Sequence, residues 1–157
     1  MTLKTDLPLS AASTIVDAAL AAGRAAGMAP LTVAVLDAGG HLVVLKREDG
    51  SGILRVEIAH GKAWGALGMG QSSRAIRDRL HDHPAFLSAL AAASGGRFVA
   101  VPGGVLIKHG AGAVIGAAGI SGDRSEKDEY CAITGVRAAG YAPDPAEPDP
   151  DWQGGPR

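Results

Sequence analysis

Two hydrophobic periods alternate along the chain. From Ser10 to about Gly27, Ala12, Ile15, Ala19 and Ala22 recur every three or four residues. That spacing predicts an amphipathic helix, capped by Ser10 and stopped by Gly27 and Pro30. "LTVAVLD" and "HLVVLKR" are β-branched runs joined by "AGG", which reads as a hairpin. Roughly Ile53 to Met69 returns to a helical period, apolar on most of its circumference, so this helix is expected to be covered on two sides. "GQSS" caps a short polar helix from Arg74 to Leu80, and "HDHP" breaks it before another helix at Ala85 to Ala93. Three strand candidates follow, "RFVAV", "GVLIKH" and "AVIGAAGI", separated by "PGG" and "GAG". A final helix is expected from near Ser125 to near Gly140.

The order helix, hairpin, helices, three-stranded meander, helix predicts an α+β domain with five largely antiparallel strands packed by helices. Residues 1–140 form this domain, and the Pro-rich, acidic residues 141–157 are expected to be an extended or disordered arm. "DAGGH" lacks the glycine spacing of a dinucleotide loop and is followed by a strand, so a dinucleotide site is rejected.

Composition narrows the class. A chain of 157 residues suffices for one self-supporting core. A hydrophobic content of 46%, a charged content of 20% and a net charge of -1 give no case for nucleic acid or membrane as partners. The opening "MTLKTDLPLSAAST" does not read as a signal peptide, and no apolar run reaches the ~18 residues of a spanning helix. A cytoplasmic location is therefore expected. The single Cys131 excludes an intrachain disulfide and a multi-cysteine zinc site. Glycine is the outlier, with 23 positions, about twice the usual ~7%. Aromatic residues amount to only 4%.

Candidate chemistry centres on "GISGDRSEKDEYCA", where Glu126, Asp128 and Glu129 follow a glycine-serine turn. Ser125 and Asp128 resemble a capping box, and acids in a first turn suit the helix dipole. Capping does not account for both later acids, because helical spacing places Asp128 and Glu129 over the apolar stripe Ala132, Val136 and Ala139. Carboxylates there need a cation, a donor or a ligand. On the second helix His60 falls amid Ile53, Val56, Ala63, Trp64 and Leu67, as a hydrogen-bonded core residue or a ligand. Lys62 points elsewhere; it is either solvated or, if covered, paired with Glu129 or Asp128. Arg47 ends a strand where it meets a ligand carboxylate or pairs with Glu48 or Asp49. His81 and His83 lack a third metal ligand nearby, His109 is expected to be exposed, and Cys131 reads as a small core residue.

Three stretches, "LTVAVLDAGGHLVVLKREDG", "EIAHGKAWGAL" and "PGGVLIKHGAGAVIGAAGISGDRSEKDEYCA", together resemble the GlcG/HbpS-type heme-binding (heme-degrading) domain. That domain also occurs at the C-terminus of PduO-type cobalamin adenosyltransferases. The resemblance runs over about residues 8 to 140. It implies a profilin-like fold, with a five-stranded antiparallel sheet between helices, and homo-oligomers. Lys62 matches the family's Lys-Ala position, Gly119, Ser121 and Gly122 its glycine-serine turn, and Asp128 and Glu129 its Asp-Glu pair.

The leading expectation is a binding protein for heme or a related tetrapyrrole, with a heme-degrading or sensing role. Arg47, His60, Lys62, Gly119, Ser121, Gly122, Asp128 and Glu129 would surround the cofactor, and His60 would be the metal ligand. Heme needs an axial donor and cations for its propionates. Tyr130 and Cys131 are alternative donors, and Arg124 a further cation. A second reading is a cofactor-free enzyme acting on a small hydroxy or oxo acid, with Lys62 as base or amine and Glu129 as proton shuttle. A third is an assembly module with a vestigial pocket.

Overall fold

The computed structural model describes residues 4–154. Residues 1–3 and 155–157, the outer ends of the two expected segments, lie outside it. In chain order the elements are α1 (Leu9–Ala25), β1 (Thr32–Asp37), β2 (Leu42–Arg47), α2 (Arg55–Met69), α3 (Ser73–Leu80), α4 (Pro84–Ala93), β3 (Gly104–His109), β4 (Ala113–Ser121), α5 (Ser125–Ala138) and β5 (Ala142–Asp144). The strands form one antiparallel sheet in the order β2-β1-β4-β3-β5. This is the α+β, five-stranded arrangement expected from the sequence.

The pleat sends alternate strand residues to opposite faces. Val33, Val35, Val105, Ile107, Ala118 and Ile120 join Ala12, Ile15 and Ala19 of α1 and Ala132, Ile133 and Val136 of α5 in the larger core. Leu36, Leu106 and Ala117 face the other way, against Ala63 and Ala66 of α2. A third cluster, Ile76, Leu80 and Phe98, joins α3 to the segment after α4.

Where Gly104 of β3 pairs with Gly119 of β4, the face of the sheet under α2 carries no side chains. A Cβ placed on Gly119 would lie 1.9 Å from the Ala59 carbonyl oxygen, and one on Gly104 would lie 2.2 Å from that of Lys62. The helix backbone therefore rests directly on the sheet backbone. Close approach, rather than positive φ, requires glycine at both positions.

Two expectations, one strand and the helix caps, are corrected. "RFVAV" is not a strand; the fifth strand is β5, which pairs with β3 at the sheet edge. Phe98 instead enters the third core cluster. Residues 141–154 of the acidic segment are extended in part and packed on the domain: besides β5, Trp152 stacks on Tyr130 at 3.8 Å between ring centroids. Finally, Ser10 lies inside α1, whose N-cap is Pro8, and Ser125 is the first residue of α5 rather than its cap. No helix among the described residues is long and apolar enough to cross a membrane.

Candidate functional site

Counting apolar residues around α2 points to the wrong face as its buried one. The side against the sheet is Ala59, Lys62, Ala63 and Ala66, while His60, Val56, Trp64 and Leu67 are only partly covered. The alanines there suit the close approach of the helix backbone to Gly104 and Gly119. Of the two readings left open for His60, partial cover sets aside the core one, and Lys62 is the buried residue, 1% exposed.

Lys62 runs past the end of the sheet beside Gly103. Its Nζ donates to the Ile120 carbonyl at 2.8 Å and to Asp128 Oδ2 at 2.9 Å. The other carboxylate oxygen of Asp128 accepts the Asp123 N–H at 3.1 Å. Burial pushes the Asp128 carboxyl up, against the opposing pull of the Lys62 ammonium. Of the two acids offered by the sequence, Asp128 is therefore the partner of Lys62.

Glu129 belongs to a different group. It is fully buried, its Oε1 lies 3.2 Å from Arg74 Nε, and the Asp149 backbone N–H also approaches it, neither completing a hydrogen bond of full geometry. Burial raises it to about 7, against the pull of Arg74; the Asp149 carboxylate pushes it further up while the Asp149 backbone N–H pulls it down. Lys62 and Glu129 do not pair, so the base and proton shuttle of the enzyme reading are not brought together.

The remaining candidates scatter. Gly119 is sealed beneath Ala59, Ser121 accepts from Arg55 at 3.1 Å, and Gly122 packs against Pro30 and Leu31. Arg47 is exposed on a separate open cleft with Arg24, Glu48 and Asp49, where Arg24 rather than Arg47 holds Glu48. Cys131 is buried, its Sγ 3.5 Å from Met28 Sδ, and burial pushes its thiol up to about 12. Tyr130 lies under Trp152. Neither is offered to a heme as a donor.

His60 is the exception. It lines a cleft of about 430 Å³ between α2, β2 and the turn at 95–97, together with Leu42, Leu45, Val56, Glu57 and Arg97. Burial, aided by the Arg97 charge, lowers the imidazole below its ordinary value, which keeps a ring nitrogen free to donate. Arg97 also lies over the Trp64 ring at 4.3 Å. Sequence reasoning missed Arg97, reading it as the start of a strand. The available signal was "SGG", whose Gly95 and Gly96 adopt φ of 65° and 81° and turn the chain back toward α2. Among the described residues no group of three or more His, Cys, Asp or Glu is placed to hold a bare metal ion. The cleft suits heme better: it offers one imidazole, one guanidinium and apolar walls, within the usual ~300–1,000 Å³ of ligand pockets.

Comparison with solved structures agrees with this fold. The chain superimposes on a crystal structure of a PduOC:heme complex with a TM-score of 0.77 and 27% identity, covering 86% of this chain and 96% of that one. HbpS gives a TM-score of 0.73 and 28% identity, covering 87% and 92%. Klebsiella pneumoniae protein ORFY, 23% identical with a TM-score of 0.77 and coverage of 89% and 94%, shares the fold. No curated protein sequence matches the chain. Residues 7–137 match the family described as "Haem degrading protein HbpS-like", and the chain belongs to that family.

Proposed function

We propose that this protein binds heme, or a related anionic tetrapyrrole, in the cleft between α2, β2 and the 95–97 turn. The reading rests on the meeting of His60 and Arg97 over the apolar walls of Leu42, Leu45 and Val56. A heme-bound relative of similar fold supports it. In this reading the neutral His60 imidazole holds the iron and Arg97 holds a propionate, leaving its place over Trp64. Leu42 and Leu45 would give a bound tetrapyrrole apolar contact. Bound heme would supply a redox-active iron. The protein also self-associates in this reading, through Ile53 and Leu54, which are 82% and 64% exposed at the entrance to α2.

Titration of the purified protein with hemin tests the site. A saturable, shifted Soret band is expected at one heme per chain. His60→Ala should move or abolish the band. Arg97→Ala should weaken binding by about 10- to 100-fold, the value of a lost charge-assisted hydrogen bond. Titrations of both variants indistinguishable from wild type would refute this assignment.

A further inference from the structure

The chain after α5 returns across the domain as a strap. β5 pairs with β3, and Lys108 holds Asp144. Arg137 holds the Ala146 carbonyl and the Glu147 carboxylate. Arg74 donates to the Glu147 carbonyl at 2.7 Å, and Trp152 stacks nearly parallel to Tyr130, at 6°. Beneath these anchors lies Glu129, with Asp149 of the strap close enough to repel its charge. Arg74 is thus shared between the buried acid below and the strap above.

We propose that residues 142–154 form a proton-coupled latch, which closes over Glu129 when that carboxyl is neutral and loosens when it ionises. In the closed form Arg74 Nε, 3.2 Å from Oε1, and the Asp149 backbone N–H of the strap favour the carboxylate, but neither completes a hydrogen bond of full geometry. A neutral carboxyl tolerates that far better than a carboxylate does. Lifting the strap admits water and removes Asp149, so the open form releases the proton more readily. The other charges facing Glu129 are Arg74 and Arg77 of α3, and Arg77 is itself held by Glu126 one turn earlier on α5. His109, edge-on to Tyr141 at 5.6 Å, is a second ionisable group beside the strap and serves as a control.

The sign follows from the closed form binding the proton more tightly. Its carboxyl stands at about 7, against an ordinary 4.5 once water reaches it. Closure is therefore strongest below the ordinary value, weakens as pH rises toward 7, and is level above it. The full change is about 300-fold in the opening equilibrium.

Hydrogen exchange of the full chain, followed by mass spectrometry between pH 5 and 8.5 and corrected for intrinsic rates, tests the latch. Protection of residues 142–152 should fall with rising pH in wild type and in His109→Asn, and should stay constant in Glu129→Gln. Flat protection in wild type, or a wild-type slope in Glu129→Gln, would overturn the proposal. If Glu129→Gln does not fold, the carboxyl ¹³C titration of Glu129 in the wild-type chain decides. A midpoint near 7 supports the latch, and one in the ordinary glutamate range overturns it.

Discussion

Replacing Lys62 with Met probes the buried pair directly. The two side chains are 2% and 1% exposed, and the Lys62 ammonium also serves the Ile120 carbonyl. Without the cation, Asp128 keeps only the Asp123 N–H and must either stay charged in the core or take up a proton. Stranding one member of a buried pair costs about 3–5 kcal/mol. Protonation sets a ceiling: neutralising an ordinary aspartate at pH 7 takes about 3 pH units, or ~4 kcal/mol. The two routes agree on ~4 kcal/mol. With a urea slope of ~2 kcal/mol per molar, the unfolding midpoint should fall by about 2 M. The variant's Asp128 would be neutral when folded and raised relative to the unfolded chain. Its stability deficit should therefore shrink by about 1.4 kcal/mol for each pH unit of acidification, until the wild-type carboxyl, itself raised by burial, takes up a proton in turn. Adding Asp128→Asn should recover much of the loss at pH 7. A deficit under ~1 kcal/mol at pH 7, or one insensitive to pH, would refute this account of the pair. Hemin affinity should be unchanged, because Lys62 does not line the His60 cleft.

Gly119→Ala should destabilise by at least the ~1–3 kcal/mol of an overpacked core, read as a lower urea midpoint, because its methyl would sit 1.9 Å from the Ala59 oxygen. Ser72→Ala removes the α3 cap, which accepts the Ala75 N–H at 3.3 Å, and should lower stability by ~1 kcal/mol in the same assay. Hemin affinity should be level between pH 7 and 8. It should fall on acidification only below the ordinary histidine range, because burial holds His60 neutral; a fall beginning above that range would contradict the imidazole's role.

The sheet and helices were legible because each carries a sustained period: β1, β2, β3 and β4 are β-branched or alternating runs, and α1 and α5 have clear apolar stripes. β5 was not. Three residues containing a proline carry no strand period, and only the free edge of β3 makes them a strand. The buried Lys62 was half legible. Its need for an acid followed from the charge, but its burial depends on the backbone contacts at Gly104 and Gly119, which lie elsewhere in the sequence. The acids of α5 were seen as a pair, yet helix geometry sends them to different neighbours, Asp128 to Lys62 and Glu129 to Arg74. Arg97 escaped notice because its role comes from a turn two glycines earlier, which brings a distant segment against α2.

Lys62 leaves a helix on one face of the sheet and ends at the start of a helix on the other. It ties three layers with a single side chain, at an end of the sheet where Gly103 leaves room for the ammonium. Peeling either helical layer away would strand a charge in the other, so a half-folded domain with one layer intact has little to hold it together. Unfolding should then engage both cores at once, although they share no side chains.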